Sequence, residues 1–210
     1  MYKLYYSPST ASMAPHILLR EIGAPHELVL TDTAADAHRR PEYLRLNPHA
    51  RVPTLTDGDV VVYESAAIAM YLCDRHPEAA LAPPAGSAAR GAYYKWMVYL
   101  TNTIQPELMM WFYTDRWALP DQAEALKARV VERVAEMFAK IDAELAGRPY
   151  LLGDAFSAAD IYLFMLSRWT RNMPKKARDL PHLGAYLARM MERRSVRDVF
   201  SIEQIGEPYY

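Results

Sequence analysis

Residues 52–75 read VPTLTDGDVVVYESAAIAMYLCDR. Two short apolar runs, 52–56 and 60–63, flank Asp57-Gly58-Asp59, and Asp-Gly between β-prone runs is a hairpin signal. Behind the second run, Ile68, Tyr71 and Leu72 recur at helical spacing, so 65–75 reads as a helix. A hairpin that runs straight into a helix closes a small sheet with a ββα unit. Upstream, residues 2–6 are β-prone and rich in tyrosine. Ser7-Pro8-Ser9-Thr10 breaks that strand. Residues 13–22 read as a helix with Ile17, Leu18 and Ile22 on one side, 28–31 as a second strand, and 41–46 as a helical turn. The order βαβ, α, ββα predicts a small mixed sheet with helices packed on it.

Downstream the character changes. Residues 78–87 carry Pro83, Pro84 and Gly86 among alanines and read as a linker. Beyond them almost no strand signal remains. Helices are expected over 88–117, kinked at Pro106, over 122–145 and stopped by Gly147-Arg148-Pro149, over 157–171 and over 183–193. The chain thus divides into 1–77, a linker 78–87, and an all-helical 88–210. Ser157-Ala158-Ala159-Asp160 is a close variant of a capping box, with Phe156 and Ile161 at the staple positions. It is read as a folding element.

Composition narrows the function. The 210 residues carry a net charge of -1, so no global field draws this chain to nucleic acid or an anionic membrane. The one cysteine, Cys73, excludes an internal disulfide and reads as a small buried hydrophobe in a helix. No N-terminal apolar run suits a signal peptide or a membrane span, so the expected compartment is the cytoplasm. The histidines form no H-x-x-x-H or Cys/His cluster, and no metal is expected.

Three clusters could carry chemistry. Tyr6, Ser9, Thr10 and Ser12 lie where a strand ends and a helix begins. Free N–H groups and the helix dipole favour an anion there, and a hydroxyl can donate to a thiolate. The same residues also suit a plain turn and N-cap. Arg51-Val52-Pro53-Thr54 places a proline at a strand entrance, which marks an edge or a special turn. If Val52–Pro53 is cis, the backbone of Val52 is left free to pair with a bound peptide as an added strand would. At Tyr63-Glu64-Ser65 a strand runs into a helix. Glu64 suits an ammonium group and Ser65 with its neighbouring N–H groups a carboxylate, and the pair also reads as an acidic first turn with a serine cap. Met109-Met110-Trp111-Phe112-Tyr113 and Trp117 form an adaptable apolar stretch that fits a ligand pocket, a helix core or a subunit interface.

In this order and spacing, the pieces resemble the cytosolic glutathione transferase superfamily over nearly the whole chain. Residues 3–8 through Pro15-His16-Ile17 look most like the bacterial beta-class group. Asn47-Pro48, Arg51-Val52-Pro53 and Tyr63-Glu64-Ser65-Ala66-Ala67-Ile68 look like the glutathione-site framework, and residues 153–160 like the capping motif of the C-terminal domain. The resemblance implies a thioredoxin-like α/β N-terminal domain, an all-α C-terminal domain, and a homodimer. Glutathione is then the co-substrate, with Arg51, Val52, Pro53, Glu64 and Ser65 at its site. Ser12 is the first choice for the thiolate-stabilising hydroxyl, with Tyr6, Ser9 and Thr10 as alternatives. The hydrophobic electrophile would meet Met13, Met109, Tyr113 or Trp117. The beta-class group has a cysteine where this chain has Ala11 and a histidine where it has Gln105, so two of that group's site residues are absent. A non-catalytic glutathione-binding or regulatory protein, or a relative with isomerase, dehalogenase or peroxidase chemistry, are the other readings of the same frame.

Overall fold

The computed structural model describes all 210 residues. Contacts divide them into two compact units, Met1–Ala82 with Arg193–Gly206, and Pro83–Glu192 with Glu207–Tyr210.

The first unit is built on a four-stranded sheet: β1 (Tyr2–Tyr6), β2 (His26–Leu30), β3 (Thr54–Asp57) and β4 (Val60–Tyr63), in the order β2-β1-β3-β4. The β1–β2 pair is parallel, and the other two pairs are antiparallel. Helix α1 (Met13–Ile22) makes the crossover that a parallel pair requires. It ends at Gly23, whose φ of 75° is left-handed and whose N–H bonds the Leu19 carbonyl. The hairpin turn needs positive φ, and Gly58 supplies it at 59°. The short helix α2 (Pro41–Leu44) precedes β3, and α3 (Ser65–Arg75) follows β4 directly. Leu4, Ile17, Leu18, Leu55, Ile68 and Leu72, drawn from the sheet, α1 and α3, are wholly buried.

The second unit is helical. It holds α4 (Ala88–Tyr99), α5 (Gln105–Phe112), α6 (Ala123–Glu144), α7 (Ala158–Trp169) and α8 (Pro181–Met191). Every residue of α7 is buried, with α4, α5 and α8 packed on it. The capping box at Ser157 is formed. The Asp160 carboxylate accepts from the Ser157 N–H, the Ser157 hydroxyl and the Leu151 N–H, each at 2.9 Å. The expected kink at Pro106 is a π-helical turn, Leu100–Ile104, between α4 and α5. Proline offers no N–H to the preceding turn, so the helix widens just before it. The last helix, α9 (Arg194–Ile202), packs on α1 in the first unit, with Val196, Val199 and Phe200 buried. No helix of the chain is long and apolar enough to cross a membrane.

Candidate functional site

The sheet register assembles the site. Tyr5 pairs with Thr54, and Thr54 pairs with Tyr63, so these three residues form one row across β1, β3 and β4. The strand directions then bring the segments just past that row to the same end of the sheet. They are the loop after Tyr6, the residues before Thr54, and the start of α3. Ser65 fastens two of them, its hydroxyl donating to the Ala11 carbonyl at 2.7 Å.

The Val52–Pro53 bond is cis, as the sequence left open. The backbone N–H and C=O of half-buried Val52 make no hydrogen bond within the chain. Its neighbours are fixed. Tyr43 and Asn47, both buried, donate to the Arg51 carbonyl, Asn47 from 2.9 Å. The same two side chains bond the Thr54 hydroxyl at 2.9 and 3.2 Å. Burial raises the Tyr43 phenol above its ordinary value, so it stays a donor at neutral pH. An unpaired peptide unit between two clamped residues is ready to pair with an incoming chain.

Glu64 is exposed and adopts φ 70°, ψ 115°, a left-handed value uncommon outside glycine. Its carboxylate makes no ion pair or hydrogen bond, and no side chain caps the first N–H groups of α3. A free carboxylate thus stands directly before free helix N–H groups. Such a juxtaposition suits a zwitterionic head group, which carries an ammonium beside a carboxylate. Arg51 is exposed and has no acidic partner.

The loop between β1 and α1 carries the candidate hydroxyls. Ser12 is wholly buried. Its hydroxyl donates to the Ser7 carbonyl at 2.9 Å and lies 2.9 Å from the Thr10 hydroxyl. Thr10 is partly exposed and donates to the same Ser7 carbonyl at 2.7 Å. Because Ser12 satisfies that carbonyl, the Thr10 hydroxyl can turn to a ligand without orphaning it. Neither the Thr10 nor the Ala11 N–H bonds within the chain. Tyr6 is partly exposed, and burial followed by the charge of Glu203 raises its phenol, so it too remains a donor. Ser9 holds φ 61°, and its N–H donates to Glu203 at 2.9 Å.

Glu203, just after α9, is buried, and its other oxygen lies 2.7 Å from Nδ1 of the fully buried His16 in α1. This carboxylate thereby joins the C-terminal segment, the first helix and the candidate loop. Sequence reading missed Glu203, because 187 residues separate it from His16 and no local pattern links them. It missed Tyr43 for a different reason: a tyrosine in a short helical turn gives no sign of which carbonyl it will reach.

Met13, expected at the apolar co-substrate, is fully buried in the core of the first unit. In the second unit Met109 is partly exposed, while Tyr113 and Trp117 are 40% and 59% exposed. The Arg116 guanidinium lies 4.1 Å from the Tyr113 ring centroid. Gln105 accepts a hydrogen bond from Tyr162. No group of three or more His, Cys, Asp and Glu could hold a metal.

Comparison with known proteins gives this geometry a family. Residues 1–74 match the family model described as glutathione S-transferase, N-terminal domain, and residues 99–194 the one described as glutathione S-transferase, C-terminal domain. Glutathione S-transferase GstA of Escherichia coli O157:H7 is 30% identical over 203 residues, 96% of this chain and 98% of that protein. The structure of a glutathione transferase homolog from Sulfitobacter with bound glutathione superposes with a TM-score of 0.88 at 30% identity, covering 96% of this chain and 98% of that one. A bacterial beta class glutathione S-transferase from Sphingomonas chungbukensis gives 0.85 at 32%, over 97% and 100%. With both family models matched and relatives alike over almost their full length, the chain belongs to the glutathione S-transferase family.

Proposed function

We propose that this transferase holds glutathione at this end of the sheet, activates its thiol, and delivers it to a hydrophobic electrophile. The observation that carries the reading is the unpaired backbone of Val52, set beside the free Glu64 carboxylate and the uncapped start of α3. The cysteinyl part of the tripeptide pairs with Val52 as an added strand. Glu64 takes the γ-glutamyl ammonium, and the N–H groups at Ser65 take its carboxylate. Arg51 answers the remaining negative charge, and Pro53 shapes the backbone between them. Residues 1–77 carry this half of the reaction.

Thr10 is assigned as the hydroxyl that meets the thiol, with Ser12 behind it as the residue that positions it. Tyr6 and Ser9 complete the set. The unpaired N–H groups of Thr10 and Ala11, at the entrance to α1, add to the field that favours a thiolate. Lowering a thiol pKa by two units takes about 2.7 kcal/mol, within reach of one charge-assisted hydrogen bond and a helix terminus. The protein supplies binding, orientation and this shift, and glutathione is itself the nucleophile. The electrophile is assigned to Met109, Tyr113 and Trp117. A homodimer, a cytoplasmic location and a role in detoxification complete the reading, supported by family membership.

The test compares wild type, Thr10→Val and Ser12→Ala by calorimetry with glutathione and by turnover of an activated aryl chloride from about pH 5 to 9. Thr10→Val should still bind while its rate falls roughly 10- to 100-fold, with the apparent thiol pKa raised. Ser12→Ala should lose less rate and more stability. An unchanged pH profile in Thr10→Val removes that assignment. Wild type that binds glutathione yet converts no electrophile removes the catalytic reading.

A further inference from the structure

The π-helical turn Leu100–Ile104 is closed by the Gln105 N–H, which bonds the Leu100 carbonyl five residues back. Turns of this kind are rare and are frequently found at functional sites. Gln105 is thus fixed at its backbone, and its side chain is fixed as well. The hydroxyl of Tyr162, a residue of α7 only 1% exposed, donates to Gln105 Oε1 at 2.5 Å. With Oε1 the acceptor, the orientation of the amide is set and Nε2 presents two N–H donors. Neither is used. Nε2 makes no hydrogen bond within the chain, and it is not sealed from solvent.

Helix spacing decides what this donor faces. Gln105 and Met109 lie four apart on α5 and share a face, with Tyr113 a further turn along. All three are at least partly exposed, whereas Ile104 and Leu108 on the adjoining face are wholly buried. The exposed stripe is therefore apolar along its length and ends in a held amide. Apolar walls with a few fixed polar groups are the usual make-up of a small-molecule site, and the polar groups set which ligand is accepted.

On the proposed seating of the electrophile against Met109 and Tyr113, which this reading rests on, we infer that Gln105 selects α,β-unsaturated carbonyl compounds with an apolar body. The glutathione thiolate adds to the β-carbon. A C–S bond forms, the C=C π bond breaks, and the electron pair moves through the α-carbon onto the carbonyl oxygen as an enolate. Gln105 Nε2–H donates to that oxygen, where negative charge grows in the transition state. The enolate then takes a proton from solvent at the α-carbon, matching the one the thiol released, and no group leaves. Displacement at a saturated carbon ejects a halide instead and develops no oxygen anion, so the same donor does little for it. Tyr162 is the positioning residue, since it holds the amide with its N–H groups free.

Turnover is compared at saturating glutathione for two substrates with the same phenyl body, 4-phenylbut-3-en-2-one and benzyl chloride. Gln105→Glu keeps the acceptor for Tyr162 and the size of the side chain, and it loses the donors. Gln105→Met removes both donor and acceptor. In each variant the ratio of kcat on the enone to kcat on the chloride should fall about 10- to 100-fold, with the fall in kcat rather than in KM. Tyr162→Phe frees the amide to rotate and should lower the same ratio about threefold. A purely structural role would slow both substrates alike and leave the ratio unmoved. An unchanged ratio in both Gln105 variants therefore overturns the inference and leaves the transferase reading standing. Wild type that converts the chloride and not the enone does the same. Turnover of neither substrate removes the transferase reading itself, and this inference with it.

Discussion

Glu203→Ala is the perturbation that most directly tests how the candidate loop is held. The carboxylate is buried and accepts from two groups, the Ser9 N–H at 2.9 Å and His16 Nδ1 at 2.7 Å. Truncation removes both of these bonds, at about 1–3 kcal/mol each. The total is roughly 2–6 kcal/mol. In a chain of this size 1 kcal/mol corresponds to about 2–4 °C, so the melting midpoint should fall by about 4–24 °C. A functional effect should accompany it. Ser9 sits at φ 61°, a left-handed conformation that costs a non-glycine residue about 1–2 kcal/mol. With its N–H released, the loop relaxes, and the KM for glutathione should rise several-fold. Glu203→Gln keeps the shape but only one acceptor oxygen, so it should lie between wild type and Glu203→Ala on both measures. His16→Leu combined with Glu203→Leu removes donor and acceptor together and should recover much of the lost midpoint. Differential scanning calorimetry and steady-state kinetics in glutathione read these effects. A midpoint within about 1 °C of wild type, with unchanged KM, would refute the reasoning.

Three further outcomes follow from the same geometry. Burial pushes the Asp160 carboxyl up to about 6, above its ordinary 3.8, against the pull of its three donors. A carboxyl whose pKa is raised by folding binds its proton more tightly in the folded state. Its stabilising contribution is therefore full below pH about 4 and lost as pH rises through 6, a change of roughly 3 kcal/mol. Urea titrations of wild type and Asp160→Asn should thus show a stability gap that narrows between those pH values, and a gap that widens contradicts the assignment. Tyr43→Phe removes one donor to the Arg51 carbonyl while Asn47 remains, so glutathione affinity should fall about 3- to 10-fold, measured by calorimetry. Incubation of the native protein with oxidised glutathione should give no mixed disulfide by intact mass, because Ala11 offers no thiol and Cys73 is only 5% exposed. An adduct at Cys73 contradicts that.

The sheet and its flanking helices were legible because each is coded locally. Residues 2–6, 13–22, 60–63 and 65–75 match β1, α1, β4 and α3 to the residue, with Gly58 and Gly23 at the turn and helix end that need positive φ. The start of β3 was less legible. The apolar run was read from Val52, yet the strand begins at Thr54, because Pro53 cannot donate to a ladder and Val52 makes no ladder bond. The candidate clusters were found by residue type at element ends. Their internal order was not, since it depends on which hydroxyl finds a carbonyl first. Ser12 and Thr10 have the same chemistry in a sequence, and only the fold buries one and leaves the other partly exposed. Met13 illustrates the same limit: its apolar character fits a ligand wall and a core equally, and packing chose the core. Helix α9 gave no signal that its apolar face would cover α1, because that choice rests on contacts far apart in the chain.

The absence of a thiol at Ala11 bears on what the loop is built to do. An enzyme thiol at that point would need space and a path for a covalent partner. Here the loop is closed inward instead: Ser12 and Thr10 share the Ser7 carbonyl, Ser65 holds the Ala11 carbonyl, and Glu203 holds the Ser9 N–H. What these contacts leave unclaimed are the N–H groups at Thr10 and Ala11, beside a Thr10 hydroxyl whose carbonyl partner Ser12 also serves. Each can donate a hydrogen bond, and none is a thiol. A loop that offers donors and no thiol suits the proposed arrangement, in which a thiolate is brought to it by the co-substrate and no disulfide with the loop can form.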